Sequence, residues 1–516
     1  MISRLGNRDV PDPKEWEMDR GRFIGIKSLS DWLRIVESIG ELKRIKAKVD
    51  WDLEMGTITY LAGKKVGGPA LLFENIKDHP GHRILFNPIG SSLNRMAIAI
   101  REEPGKEPLG LVRVLSEKMK RRIAPVEVAP SAAPVNQNIE TGDAVDVTKF
   151  PAPKMWPLDG GRYLGTADST ITVNPEDGRI NLGTYRQMVQ GPKQVGFYAS
   201  PGKDALLDRQ RWWAQGKPAP VAAAYGLDPL VFLVSSTSFP KDVSEYEFAG
   251  GINGAPIEVF KSDITGLVLP AHAEIIIEGY AYPDQTASEG PFGEFTGYYG
   301  RPGGATPCID IKAIRYRNDP IVMSALCADG PSNEGALLWS MLKAGKVWAD
   351  LAGVPGICGV WSPPEAAAAG MTVVSIKQQY AGHAAQVGAL AAQCMGGAYF
   401  TKYIVVVDDD VDATSLSEVV WAMATRSRPA QSIDILRETW STYLDPSQNP
   451  PEIRPWGSKC IINACKEFKY IKSFARRSLL KKEVYESVCA RWGELGFEGE
   501  PPKVVTFENF EGQVNT

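Results

Sequence analysis

Residues 371–410 carry the pattern that most narrows the folds open to this chain. An apolar run, MTVVSI, leads into a helical stretch, QQYAGHAAQVGALAAQCM, and then into a second apolar run, KYIVVVDDD. Short runs rich in β-branched residues read as strands buried on both faces. A strand, a helix and a strand in succession form a crossover, which aligns the two strands in one direction within a sheet. The helix predicted between them places Val387, Leu390, Ala391 and Cys394 on one stripe, and another helix is expected from about Thr414. This part of the chain reads as α/β with a parallel sheet.

The rest of the chain has a different texture. At 516 residues it exceeds what one core serves, so two or three domains are expected, with a helical tail. Ser30 reads as the cap of a helix whose Leu33, Ile35, Val36 and Ile39 face one side and which ends at Gly40. Strands are predicted at Leu42–Val49, Ala70–Phe73 and Arg83–Phe86, giving an α/β N-terminal domain over 1–125. The basic run Lys118–Arg122 reads as a solvated helix end, and APVEVAPSAAPVNQN as an extended linker. Over 126–330 the segments STITVN, RINLGTYRQMV, LVFLVSSTS, GAPIEVF, HAEIIIEGYAY and CIDIKAIRY read as short strands of an antiparallel barrel or sandwich. The α/β pattern occupies 331–465. The tail, 466–516, holds one amphipathic helix, LLKKEVYESVCARWGELGF, assigned to packing or subunit contact.

Charge and cysteines restrict the function classes. A net charge of −4 and a pI near 5.8 argue against a nucleic-acid binder. Seven scattered cysteines without a CxxC pair read as thiols in a reducing compartment. The N-terminus is polar, without a signal-peptide core, and no apolar run is long enough to span a membrane. A cytoplasmic protein is expected.

Several constellations could carry chemistry. In Ser288-Glu289-Gly290-Pro291-Phe292-Gly293-Glu294, two carboxylates flank a turn. Carboxylates sharing a buried site cannot both ionise cheaply, so one stays protonated and can act as a general acid. The alternative is a polar hairpin with solvated glutamates. In Asn181-Leu182-Gly183-Thr184-Tyr185-Arg186, a strand arginine could pair with a glutamate or grip a substrate carboxylate; a structural ion pair is the competing reading. Ser235-Ser236-Thr237-Ser238 with Glu245 suits a Mn²⁺, Mg²⁺ or K⁺ ion beside a phosphate, or simply a cap and a turn. Lys377 ends a strand where open α/β sheets bind ligands. His383 is as well explained by the core as by catalysis, and Asp408-Asp409-Asp410 by turn or capping acids as by a metal. No GxGxxG after a strand, P-loop, HExxH or GxSxG is present, which weakens nicotinamide, nucleotide, zinc-peptidase and serine-hydrolase readings. A glycosidase with Glu289 and Glu294 as acid and nucleophile is a further alternative.

From about residue 28 to 465 the ordered motifs NLGTYRQM, SEYEFAGG, LPAHAEIIIEGY, SEGPFGEFTGYYG, SIKQQYAGHA, KYIVVVDDDVD and WAMATRSRPA resemble the UbiD family of prenylated-FMN-dependent decarboxylases. The resemblance implies an N-terminal α/β domain, a central split β-barrel related to flavin-binding barrels, and a C-terminal α/β domain used in oligomerisation as dimer or hexamer. It places an Arg–Glu–Glu triad on Arg186, Glu289 and Glu294, with Glu294 returning a proton where CO2 has left. Asn181, Gly183, Thr184, Tyr185, Lys203, Ser236, Thr237, Glu245 and Lys377 fall at cofactor-binding positions, Lys377 at a phosphate-contacting one. Ser236 and Thr237 match a loop that contacts the flavin and a monovalent cation, K⁺. Asn181 and Glu245 match a divalent Mn²⁺ site whose histidine is missing: the chain reads Ser200-Pro201-Gly202-Lys203-Asp204, with no histidine between His82 and His272. The expectation is that Lys203 substitutes electrostatically for the metal, Asp204 as replacement ligand being the competing account. Phe292, Phe295, Tyr380 and His383 are candidate substrate-pocket walls. The implied substrate is an aromatic, heteroaromatic or α,β-unsaturated acid, or an aromatic acyl-CoA. The implied partner is a flavin prenyltransferase, and the alternative role a non-catalytic subunit of a larger carboxylase.

Overall fold

The computed structural model describes residues 25–240, 242–367, 369–448, 456–504 and 507. The chain forms two units, one of Met1–Leu342, Pro364–Ala368 and Thr442–Pro455, the other of Lys343–Pro363, Ala369–Ser441 and Trp456–Thr516.

The first unit opens on the helix Leu29–Ser38, which buries Leu29, Trp32, Leu33 and Val36. Its cap is Ser28 rather than Ser30. The Ser28 hydroxyl accepts from Asp31 N at 3.2 Å while the Asp31 carboxylate accepts from Ser28 N, a reciprocal pair that only a residue three positions before an acid can make. Three strands follow, Leu42–Ile45, Ala70–Phe73 and Arg83–Phe86, the first shorter than expected. A fourth, Ile321–Ser324, pairs in parallel with Arg83–Phe86 and completes the sheet from far along the chain. The stretch read as a linker is packed down: Val126–Glu127 pairs with Glu258–Lys261, and Val135 is buried.

Most of the remaining strands of this unit form one large antiparallel sheet. Its order runs Tyr163–Gly165, Gln187–Gly191, Gln194–Gly196, Gly304–Tyr316, Ile275–Ala281, Ala219–Tyr225, Asp168–Val173, Ile180–Gly183. The chain leaves one edge of that path at Gly183 and re-enters beside the other edge at Gln187. Four Cα steps reach at most about 14 Å, so the sheet has to curl into an open barrel. Arg186 therefore lies in the connection across the barrel's mouth and not on a strand, which corrects the sequence reading. Inward residues such as Val195, Val221, Ile277 and Ile309 fill the core, each large aliphatic side chain contributing roughly 2 kcal/mol. A second correction concerns LVFLVSSTS, a helix over Pro229–Ser235. Asp228 caps it by accepting from Leu230 N at 3.1 Å, and Pro229 presets its first turn. Because every residue of this helix is buried, it shows no polar face to mark its period.

The second unit holds a five-stranded sheet ordered Ile357–Trp361, Met371–Ile376, Tyr403–Asp408, Trp456–Ala464, Ile433–Trp440. Its three central strands are parallel, as the crossover predicts, and both edge strands are antiparallel. The crossover helix His383–Gln393 buries His383, Ala384, Val387 and Ala391. Leu390 is exposed and Cys394 lies past the helix end, so the buried stripe is narrower than expected. The tail helix Lys482–Ala490 buries no residue within its unit. No helix among the described residues is long and apolar enough to cross a membrane, and the seven cysteines are free thiols.

Candidate active site

The connection that carries Arg186 meets the turn that carries the two glutamates. Arg186 Nε donates to Glu289 Oε1 at 2.8 Å, its Nη2 to Glu289 Oε2 at 3.3 Å, and its Nη1 to Glu294 Oε1. Glu289 is fully buried and Glu294 is 5% exposed. The reading of solvated glutamates on a polar hairpin is thus overturned: the turn folds inward, where one guanidinium serves both acids.

A loop one hundred and more residues upstream fixes that turn. Asp159 Oδ1 accepts from Gly293 N at 2.9 Å, and Gly160 N donates to Pro291 O at 2.8 Å. The approach is so close that a Cβ on Gly160 would fall 2.1 Å from Gly290 O, which only glycine tolerates. Tyr163, in the next strand, donates its hydroxyl to Glu289 Oε1 at 3.1 Å, and Arg301 Nη2 reaches Glu289 Oε2 at 3.4 Å. Phe292 packs on Tyr163 at 4.6 Å and lies 5.0 Å below the Arg186 guanidinium.

The two acids are held unequally. Glu289 receives donors from Arg186, Tyr163 and Arg301, whereas Glu294 receives one, from Arg186. Burial pushes the Glu294 carboxyl above the ordinary carboxylate range, further than Arg186 pulls it down, and the charge of Glu289 adds to the rise. Burial works against the Arg186 charge as well, but Glu294 and Glu289 outweigh it and hold the guanidinium firmly protonated. The arrangement yields a buried acid able to carry a proton beside a permanent cation.

A second cluster surrounds Asn181. Its Nδ2 donates to Thr172 Oγ1 at 3.0 Å, and the neighbouring Leu182 N donates to Glu245 Oε2 at 2.9 Å, which brings Asn181 and Glu245 together. Burial pushes Glu245 up to about 7, with Asp204 adding to the rise and Arg179 opposing it. A buried carboxyl so far from its preferred charge fits a cation that would restore it. Asp204 opens the helix Asp204–Ala214 and pairs with Arg179 at 3.1 Å. Lys203 precedes it and donates to Ser238 Oγ at 3.4 Å. Thr184 N donates to Ser235 O at 2.9 Å, which pins Gly183–Tyr185 to the end of the Pro229–Ser235 helix, where Ser236 and Thr237 follow. The Tyr185 ring folds over Gly183 so closely that a Cβ there would meet it at 2.2 Å.

Phe295 packs edge-on to Trp339 at 5.0 Å. Lys377, Tyr380 and His383 belong to the second unit. Lys377 is exposed at its strand's end, Tyr380 donates to Gln386 and stacks on His383 at 4.6 Å, and the buried His383 accepts from Gln379 N. Asp408 ends its strand and Asp410 lies in the turn that follows; Arg426 pairs with both, at 2.9 and 2.7 Å, and Lys466 with Asp410 at 3.0 Å. Tyr163, Asp159 and Arg301 went unseen in the sequence; the only local signal was the turn-forming Asp159-Gly160-Gly161.

Three family models match the chain in order. These are the 3-octaprenyl-4-hydroxybenzoate carboxy-lyase N-terminal domain over residues 33–118, its Rift-related domain over 126–330 and its C-terminal domain over 334–464. Among solved structures, the vanillic acid decarboxylase of Sedimentibacter hydroxybenzoicus in its closed form is 28% identical with a TM-score of 0.78, over 92% of this chain and 99% of that one. The UbiD-class enzyme HmfF of Pelotomaculum thermopropionicum, in complex with FMN, is 26% identical with a TM-score of 0.76, over 88% and 97%. The 3,4-dihydroxybenzoic acid decarboxylase AroY of Klebsiella pneumoniae is 26% identical with a TM-score of 0.77, over 88% and 97%.

Proposed function

The chain belongs to the UbiD family of carboxy-lyases, and on that footing we propose that it is a non-oxidative, reversible decarboxylase of an aromatic, heteroaromatic or other α,β-unsaturated carboxylic acid, working with prenylated FMN. The observation that carries the reading is the buried Arg186 held between Glu289 and Glu294. The similar structures support its two halves: two are decarboxylases of aromatic acids by name, and HmfF is seen with FMN.

The residues present fit such a cofactor. Lys203 would supply positive charge to the flavin phosphate in place of a divalent ion at Asn181 and Glu245. Ser236, Thr237 and the Gly183–Tyr185 backbone would complete the cradle and take K⁺. When bound, prenylated FMN supplies the electron sink for the pair left by departing CO2.

The chain's own residues then control charge and protons. Arg186 has room in its hydrogen-bonding fork for a substrate carboxylate only by loosening one glutamate, and the singly held Glu294 is the one to yield. Glu294, protonated by its burial, donates to the carbon from which CO2 has left. Glu289, gripped by Arg186, Tyr163 and Arg301, keeps its position while Glu294 cycles. The buried setting keeps bulk water from competing for that proton. A glycosidase needs its two acids on opposite sides of a sugar, whereas here both face one guanidinium. Prenylation of FMN would fall to a flavin prenyltransferase partner, and the protein would work as a homo-oligomer, a dimer or a hexamer.

The test is anaerobic. The chain is co-expressed with a flavin prenyltransferase and mixed with aromatic acids and acyl-CoA esters in labelled bicarbonate. Label entering one substrate's carboxylate, and lost in Glu294→Gln, supports the reading. Folded, cofactor-loaded protein that exchanges none of them turns the reading toward a non-catalytic carboxylase subunit.

A further inference from the structure

Arg209 is a buried cation with no acidic partner. It lies on the helix Asp204–Ala214, is 6% exposed, and donates Nη1 to Phe197 O at 2.9 Å. The rings of Phe197 and Trp213 flank its guanidinium at 5.0 and 4.9 Å. No carboxylate pairs with it among the described residues, and its Nε is buried without a partner. Burial draws the group down to about 10, so the fold holds an under-compensated charge here.

Arg209 lines a cavity of about 360 Å³, together with Tyr198, Leu206, Arg301, Thr306 and Leu444. Arg301 connects the cavity to the proton-transfer group: its Nη2 reaches Glu289 Oε2 at 3.4 Å and Thr306 Oγ1 at 3.3 Å, and its guanidinium lies 4.0 Å over the Tyr198 ring. One chamber thus holds an aromatic surface, an arginine tied to Glu289, and a second arginine that lacks an anion among the described residues.

We propose that this cavity selects an aromatic acid bearing a second carboxylate, with the ring against Tyr198 and the second carboxylate on Arg209. The inference rests on the decarboxylase reading above and narrows its substrate class. A guanidinium offers two parallel donors to a planar carboxylate, and among the described residues Arg209 spends only Nη1, on Phe197 O. A monoacid of the same ring would leave the buried guanidinium without a counter-charge, the situation in which sites discriminate most strongly. Cation–π contact with Phe197 and Trp213 orients the guanidinium but supplies no counter-charge.

The test uses isophthalate and benzoate as probes on the ligand-free full chain, by calorimetric titration, with Arg209→Met and Arg209→Lys alongside. Isophthalate is expected to bind at least about tenfold tighter than benzoate. Arg209→Met should erase that preference and leave benzoate binding unchanged. Arg209→Lys, which keeps the charge and loses the fork, should weaken isophthalate alone; this variant decides the matter should the methionine variant unfold. Equal affinity for the two probes, or a preference that survives in Arg209→Met, overturns the proposal. Loss of FMN affinity in Arg209→Met with an unchanged isophthalate preference would give the guanidinium to the cofactor and overturn it too. Anaerobic exchange on the holoenzyme separates the two readings. Exchange on monoacids without dicarboxylate preference sinks only the pocket assignment, while an Arg209-dependent binding preference without exchange sinks only the decarboxylase.

Discussion

Arg186 and Glu289 meet side-on, Nε to Oε1 at 2.8 Å and Nη2 to Oε2 at 3.3 Å, so two of the arginine's donors are committed to one carboxylate. Only Nη1 is left for Glu294. This split is what distinguishes the two acids. Glu289 is held in place by a planar fork, and Glu294 by a single contact.

A lysine cannot reproduce that fork, since its ammonium is a point charge without fixed directions. Arg186→Lys should therefore preserve net charge yet lower isotope exchange by at least about a hundredfold. Arg186→Ala should also destabilise the protein, by about 3–5 kcal/mol, because it strands buried carboxylates. Chemical denaturation beside exchange kinetics checks both, and wild-type exchange in Arg186→Lys would remove the fork from the mechanism.

Glu294→Gln keeps the shape of the acid and removes its proton. Exchange should fall by about 10²–10⁴-fold with FMN binding and thermal stability retained. Because burial raises the Glu294 carboxyl, wild-type activity should decline as pH rises, with a midpoint above the ordinary carboxylate range. A pH–rate profile that is flat from acid to neutral pH and beyond contradicts this assignment.

Gly160 tests the loop beneath the turn. Its missing side chain lets the Gly160 backbone hold Pro291 while the Asp159 carboxylate holds Gly293. Gly160→Ala would place a methyl 2.1 Å from Gly290 O, and backbone at that distance cannot yield cheaply. The variant should lose about 2 kcal/mol or more of stability and most of its activity. Unfolding midpoints and exchange rates equal to wild type would show the turn to be pliable.

What the sequence revealed follows from the range of each signal. The Met371–Ile376 and Tyr403–Asp408 strands and the crossover between them were legible because periodicity is local. Glu289 and Glu294 were legible because six consecutive residues of one turn carry both. Tyr163 and Asp159 were not, since they reach Glu289 and Gly293 across more than a hundred residues and their own segment reads only as a turn. Arg186 was placed on a strand because nothing local signals that the chain must step there from one sheet edge to the other. The Pro229–Ser235 helix was lost for a related reason: burial on every side removes the polar face by which a helix announces its period.

Asp168 allows a stability prediction that is independent of the reaction. It is fully buried, Thr170 donates to its Oδ2, and its Oδ1 has no partner among the described residues. Burial pushes it up to about 7, against which Thr170 and Gln187 pull. Unfolded, it titrates near the usual value of about 4. Between those limits the folded chain binds the extra proton, so stability declines as pH rises, and below about 4 the penalty vanishes. Asp168→Asn removes the titration. Relative to wild type, the variant should therefore gain about 2–3 kcal/mol between pH 5 and pH 8. Urea melts of both ligand-free proteins across that range check the sign, and a constant difference would mean that Asp168 stays ionised.

Lys203 raises the question of which cation neutralises the flavin phosphate. Its ammonium lies by Ser238 at 3.4 Å, next to the Asp204 that Arg179 already engages. Burial draws the lysine below its ordinary range, with Asp204 opposing, so an incoming phosphate dianion would be a favoured partner. An ammonium on the phosphate would leave less negative charge there for a divalent ion to neutralise. The holoenzyme should accordingly carry FMN without stoichiometric Mn²⁺, and Lys203→Ala should weaken FMN binding by about tenfold or more, with Mn²⁺ in the buffer restoring part of the loss. Lys203→His should exchange one requirement for the other, binding FMN only when Mn²⁺ is present. Metal analysis of purified holoenzyme decides first. One tightly held Mn²⁺ per chain in the wild type would assign the phosphate to the metal and leave Lys203 a bystander.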